Sequence, residues 1–188
     1  EVATEGPQKH YLIDARVAEL YRTQLASVLA CKSVLIVEAK ESNKSLERSP
    51  EYVTHLLGRG IKRGHVLVAI GGGIVQDITC FLAAVLLRGV EWHFYPTTLL
   101  AQADSCIGSK SSINVGSFKN VVGTYTPPAK IVVSTAVLAS LPHIVFNSSR
   151  AGSLTRGALL PQTTSSGEKS YVIALSPGLG IVGGGRVV

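Results

Sequence analysis

Between His65 and Leu87 a short apolar run, three glycines and a long apolar segment follow one another without a gap, an order that few folds accommodate. His65 to Ile70 is rich in Val and Ile, the composition of a strand buried on both faces of a parallel sheet. Gly71-Gly72-Gly73 allows a sharp backbone turn, and Ile74 to Leu87 is long enough for a buried helix. Strand, glycine turn and helix in that order predict a βαβ crossover. The same alternation runs upstream. Tyr11 to Ile13, ending in Asp14, predicts a strand; Val17, Leu20, Tyr21, Leu25, Val28 and Leu29 predict one helix over 17–29. Ser33 to Val37 predicts a second strand, Leu46 to Leu57 a helix with Pro50 in its first turn, and Val90 to Tyr95 a further strand. The first 95 residues therefore predict an α/β open parallel sheet with helices on both faces.

Apolar residues make up 46% of the 188 and charged residues 16%, which supports a substantial core rather than disorder. The net charge of +6 comes from scattered Lys and Arg without basic runs, so no nucleic-acid partner is expected. Cys31, Cys80 and Cys106 are odd in number, lie in apolar stretches and lack CxxC spacing, as expected of buried reduced thiols. No apolar stretch is long enough to span a bilayer and no leader opens the chain, so a cytoplasmic protein without membrane association is expected. A start at Glu1 and the absence of Met read as a fragment. Composition shifts after Pro142 to few acids and many Ser, Thr and Gly. Residues 1–142 are thus expected to form one domain and 143–188 a divergent tail, with one strand at Tyr171 to Leu175 and a flexible Gly183-Gly184-Gly185 end.

Ligands of open parallel sheets bind beyond the carboxyl ends of the strands. Three polar groups fall there. Gly71 to Asp77 offers backbone N–H groups and a helix dipole to a phosphate, with Asp77 either touching ligand or capping the helix. Glu41 and Lys44 follow the strand at Ser33 to Val37 and form either a ribose-binding carboxylate with its neighbour or a solvated pair. The run Pro96 to Ser105, then Lys110, Asn114 and Lys119-Asn120, predicts a pocket for a phosphorylated, hydroxyl-rich ligand. Lys110 and Lys119, set among Ser, Gly and Asn between apolar segments, are expected to pair with an anion. Arg88-Gly89 closes the long helix, where a cation also suits the dipole. Ser112 to Val115 and Lys130 to Val133 predict strands joined by a turn at Tyr125 to Pro128.

Taken together, Gly71 to Asp77, Leu87-Arg88-Gly89-Val90, Pro96 to Asp104, Gly108-Ser109-Lys110, Asn114, Lys119-Asn120, Gly123 and Leu141-Pro142 closely resemble 3-dehydroquinate synthase and its sugar phosphate cyclase relatives. The resemblance covers residues 11 to 142. It implies the Rossmann-like amino-terminal domain of that fold, truncated before the helical metal-binding domain, and a lyase of the shikimate pathway that uses NAD with zinc or cobalt. In such enzymes NAD transiently oxidises a seven-carbon sugar phosphate, phosphate leaves by β-elimination, and re-reduction, ring opening and intramolecular aldol closure follow. By position, Asp14, Glu41 and Lys44 resemble contacts to the adenosine of NAD, while Gly72, Gly73 and Asp77 resemble the pyrophosphate turn. Thr97, Thr98 and Ser140 resemble remaining cofactor contacts. Asp104, Lys110, Lys119 and Asn120 match positions that hold cofactor and substrate near the reacting carbons, and Arg88 one that reaches the substrate phosphate of the other subunit in a homodimer.

Departures are equally specific. Gln76 stands where glycine is usual, Gly108-Ser109-Lys110-Ser111 replaces Gly-Gly-Lys-Thr, and Ile113 to Asn120 lacks the His-Pro and Gly of the common Asn-His-Pro-Leu-Gly-Lys-Asn. The glutamate that ligates the metal falls at Gly152 or Thr155, depending on the alignment, and no His follows His143. A catalytic metal site needs three protein ligands, so none is expected here and the chain is expected to be inactive as written. The rival readings are an NAD-binding domain like those of iron-dependent alcohol or glycerol dehydrogenases, and a non-catalytic remnant.

Overall fold

The computed structural model describes residues 7–134, 136–137, 157–163 and 169–175, the last two segments as backbone only. In chain order the strands are β1 (Lys9–Asp14), β2 (Val34–Val37), β3 (Val66–Gly71), β4 (Glu91–Pro96), β5 (Ile113–Val115), β6 (Phe118–Val122), β7 (Lys130–Ile131), β8 (Gly157–Thr163) and β9 (Lys169–Leu175). The α-helices are α1 (Ala15–Leu20), α2 (Ala26–Leu29), α3 (Ser49–Gly58) and α4 (Gly73–Val85). Five strands form one parallel sheet in the order β2-β1-β3-β4-β7.

Strand periodicity divides the core into two layers. Leu12, Leu67, Ala69, Trp92 and Phe94 face α3 and α4, where Tyr52, Leu56, Val75, Ile78 and Leu82 complete the larger layer. Tyr11, Ile13, Val66, Val68 and Ile70 face the other side and pack on Val17, Leu25 and Val28. Leu12, Leu67, Phe94 and Leu82 are fully buried, each stabilising the fold by about 1.5–3 kcal/mol. The expected open parallel sheet with helices on both faces is therefore present.

Two helices differ from expectation. The helix predicted over 17–29 breaks into α1 and α2: Arg22 N–H closes on Glu19 O, three residues back, and the turn re-aims Leu25 and Val28 onto the sheet while Leu20 stays 52% exposed. The predicted start of α3 at Leu46 moves to Ser49, because Pro50 is accommodated only in a first turn. In β5–β6, an antiparallel hairpin, β6 is a strand that the sequence did not predict. Its residues Phe118 to Val121 are all exposed, so no alternation marks it. β8 and β9 pair antiparallel, and the strand predicted at Tyr171 to Leu175 lies within β9. The expected boundary at Pro142 and the glycine end at 183–185 lie outside the described residues.

Cys80 and Cys106 are buried free thiols, as expected, whereas Cys31 is only half-buried. Burial raises both buried thiols, Cys106 to about 11, which keeps them protonated. Among the described residues no helix is long and apolar enough to cross a membrane.

Candidate functional site

The chain leaves β1 toward β2 on one side and returns to place β3 and β4 on the other, so the crevice between β1 and β3 is the topological switch point. Asp14 ends β1 and Gly71 ends β3 at this crevice. Asp14 is 8% exposed and accepts the Arg16 N–H at 2.8 Å, capping α1. The three glycines serve different needs. A Cβ on Gly71 would lie 2.9 Å from Val75 Cβ and 3.2 Å from Asp14 Cβ, and one on Gly72 would lie 2.9 Å from Thr98 Cγ2. Gly73 is exposed and its missing Cβ would meet open space, so packing does not require glycine there. No side chain caps α4, which leaves its first-turn N–H groups without a side-chain acceptor.

Asp77 does not act as that cap. Its Oδ1 accepts Ser112 N–H at 3.0 Å and its Oδ2 lies 3.2 Å from Lys44 Nζ. Lys44, whose side chain is 8% exposed, also reaches Glu41 Oε1 at 3.2 Å and donates to Asn120 Oδ1 at 2.9 Å. Glu41 and Lys44 are thus not a solvated pair. Three acceptors surround one buried ammonium, which matches its donor capacity. Asn114 completes the cluster: its Nδ2 donates to Glu41 Oε1 at 3.0 Å and its Oδ1 accepts Asn120 N–H at 2.8 Å. Backbone bonds Asn114 N–Lys44 O (3.0 Å) and Leu46 N–Asn114 O (2.8 Å) dock β5 on the loop after β2. Asn120 adopts φ +57°, a conformation that asparagine tolerates better than most residues.

The two carboxylates that share the cation are shifted in opposite directions. The Asn114 amide holds the Glu41 carboxyl below its usual range, whereas burial pushes Asp77 up. Asp77 loses more hydration than an ammonium divided among three acceptors restores, while Glu41 still touches water.

The remaining predicted residues lie outside these hydrogen bonds, although the Lys119 charge acts on Glu41 and helps to hold it low. Lys110, Lys119 and Asp104 are exposed, so the two lysines set among Ser, Gly and Asn keep contact with water rather than being enclosed by the apolar segments around them. Arg88 is exposed too, and α4 ends at Val85, so Arg88 does not sit on that helix end. Instead Leu87 (φ +52°), Arg88 (φ +66°) and Gly89 (φ +119°) form a left-handed turn braced by Arg63 Nε–H donating to Leu87 O at 3.0 Å. Two successive non-glycine residues of this kind cost about 1–3 kcal/mol each.

Thr97 is buried and its N–H donates to Gly71 O at 2.9 Å, while its Oγ1 has no hydrogen-bond partner. Thr98 Oγ1 accepts Ala101 N–H at 3.2 Å and opens a π-helical turn, Ala101–Ser105. Ser140 lies outside the described residues. Gln102, which the sequence reading passed over, donates from Nε2 to Pro96 O (3.0 Å) and Ser134 O (2.9 Å). A carboxamide inside Leu99-Leu100-Ala101-Gln102-Ala103 was the available signal. Beside the crevice, Val17, Tyr21, Ile70, Tyr95 and Thr97 line an apolar cavity of about 150 Å³. Among the described residues no three His, Cys, Asp or Glu side chains converge to hold a metal ion.

A parallel sheet with a glycine turn at its switch point and polar side chains around it defines a Rossmann-like nucleotide-binding class. Residues 34–148 match the amino-terminal 3-dehydroquinate synthase family, and the chain belongs to it. The chain is 37% identical over 148 residues to 3-dehydroquinate synthase from Dichelobacter nodosus, covering 78% of this chain and 40% of that protein. It is 40% identical over 140 residues to that of Cereibacter sphaeroides, covering 72% and 38%. The chain thus spans about two-fifths of the length of the curated relatives it matches. Among solved structures it is similar to 2-deoxy-scyllo-inosose synthase in complex with carbaglucose-6-phosphate, NAD+ and Co2+ (TM-score 0.66, 28% identity, 73% of this chain and 38% of the other). It is also similar to 2-epi-5-epi-valiolone synthase from Streptomyces hygroscopicus with NAD+ and Zn2+ (TM-score 0.64, 34% identity, 71% and 39%). An iron-containing alcohol dehydrogenase from Corynebacterium glutamicum shares the fold at 14% identity and a TM-score of 0.55.

Proposed function

We propose that this chain is the NAD-binding part of a cytoplasmic, homodimeric 3-dehydroquinate synthase-like sugar phosphate cyclase, and that the 188 residues as they stand bind NAD without turning over substrate. The observation that carries this reading is the meeting, at one switch point, of an uncapped helix start, an open glycine and the Glu41–Lys44–Asp77–Asn120 cluster. The residues present fit NAD. The α4 N–H groups and the space over Gly73 suit its pyrophosphate, the carboxylates of Asp14 at the end of β1 and Glu41 after β2 suit ribose hydroxyls, and the apolar cavity offers a bed for a base. Thr97 Oγ1 is a buried hydroxyl still lacking a partner. When bound, NAD supplies a hydride acceptor.

Around it the chain's own groups bind and orient. Lys110 and Lys119, both exposed, hold the cofactor and neutralise substrate carboxylate and phosphate, and Asp104 orients a hydroxyl. The Leu87–Gly89 turn holds Arg88 outward, toward the substrate phosphate of the second subunit. The described residues do not furnish the zinc or cobalt site of the intact family member, and no step is derived through it.

Calorimetry with NAD tests the reading: wild type binds, Gly73→Ala folds normally and binds at least about tenfold more weakly because its methyl fills the open space. No heat with well-folded wild type would remove the proposal in favour of a non-catalytic remnant. Turnover of a sugar phosphate by the chain with added zinc or cobalt would refute the inactivity.

A further inference from the structure

Gln76 lies in the first turns of α4, is 3% exposed, and sits beside Asp77. The two neighbours grip opposite ends of the same polar segment. Asp77 accepts the Ser112 N–H that leads into β5, whereas Gln76 Nε2 donates to Ser105 O at 2.6 Å, at the close of the π-helical turn. That turn carries Asp104 and is closed by Cys106 N–H on Ala101 O at 2.9 Å. The π geometry is uncommon and needs outside support, which Gln102 supplies at one end through Pro96 O and Ser134 O. Gln76 supplies it at the other.

The contact is poor as packing. Gln76 Oε1 and Ser105 Oγ are both buried without a hydrogen-bond partner. An apolar side chain of similar volume would remove the unpartnered Oε1, so core stability alone does not explain a glutamine here. We infer that Gln76 is a positioning residue that clamps the Ala101–Ser105 turn and thereby fixes Asp104 for the nicotinamide end of the bound dinucleotide. This rests on the NAD-binding reading above. The sheet order supports the location: the turn follows β4, on the far side of β3 from Asp14 and Glu41, which follow β1 and β2.

Gln76→Leu keeps the volume and removes the donor, and Gln76→Met serves as a second variant if leucine fails to fold. Two measurements on the 188-residue chain decide the matter. Amide hydrogen exchange in the free protein is expected to speed up at Cys106 while Ile13 and Val68 in the sheet stay protected. Binding is expected to weaken about five- to tenfold for NAD, with ADP-ribose, which lacks nicotinamide, unchanged. Unchanged exchange at Cys106 overturns the clamp. Equal weakening for both ligands, or none for either, overturns its link to the nicotinamide end. If wild type binds neither ligand, the NAD reading fails and takes the nicotinamide assignment with it, while the exchange experiment still decides the clamp.

Discussion

Lys44 and the pair Lys110 and Lys119 are all lysines among polar residues in one short domain, and they have opposite surroundings. Lys44 is buried and saturated by Glu41, Asp77 and Asn120; the other two are exposed. A buried ammonium must carry its partners with it, so Lys44 is part of the fold. An exposed ammonium keeps its hydration and is available to a ligand. The hairpin is thus held by one ionic cluster, while Lys119 on β6 and Lys110 ahead of β5 stay exposed.

The largest effect expected from this contrast is at Lys44. Lys44→Ala strands Asp77 beside Glu41 without a cation and lowers stability by about 3 kcal/mol, read from the urea midpoint. A midpoint equal to wild type would show that the cluster does not hold the hairpin. Gly123→Ala comes next. Its methyl would run into the Ser111 carbonyl, where Ser111 and Thr124 pair across the segment, at a cost of about 1–3 kcal/mol by thermal unfolding.

A smaller change is expected at the opposite end of the sheet, where no ligand residue lies. Lys62 N–H donates to His65 Nδ1 at 3.2 Å, so His10 donates from Nε2 to the same nitrogen (2.9 Å), and in its neutral form accepts Ser33 Oγ–H at Nδ1 (2.6 Å). Burial lowers the His10 pKa from 6.5, so the unfolded chain takes up the proton more readily and stability falls as pH drops below about 6.5. His10→Gln should flatten that slope; an unaltered slope would exclude His10 as its source. Smallest of all, Lys110→Ala and Lys119→Ala should change stability by less than about 0.5 kcal/mol while weakening NAD binding. A large loss of stability in either would show that these amines belong to the fold, like Lys44.

Much of the fold was legible because its signals are local. Val66 to Ile70 and the alternate residues of β1 and β4 face two apolar layers, and Pro50 marked a first turn. The split between α1 and α2 was not legible, since Tyr21 and Leu25 keep helical spacing across the turn. Nor was β6, a solvated strand made by pairing with β5. In the site, the ordered motifs picked out Glu41, Lys44, Asp77, Asn114 and Asn120, and all five meet. Lys110 and Lys119, which lie between apolar segments in sequence, are exposed, because neighbours in sequence need not be neighbours in space.

By itself the amino-acid order determined where β1 to β4, α4 and the glycine turn lie, because backbone preference and apolar periodicity act over a few residues. Which lysine is buried, and that Asp77 is pushed up while Glu41 is held down, was decided only by tertiary structure. Lys44 meets Asp77 and Asn120 across 33 and 76 residues of chain. The strength of an electrostatic contact depends on distance and dielectric, and both are set when distant segments exclude water together.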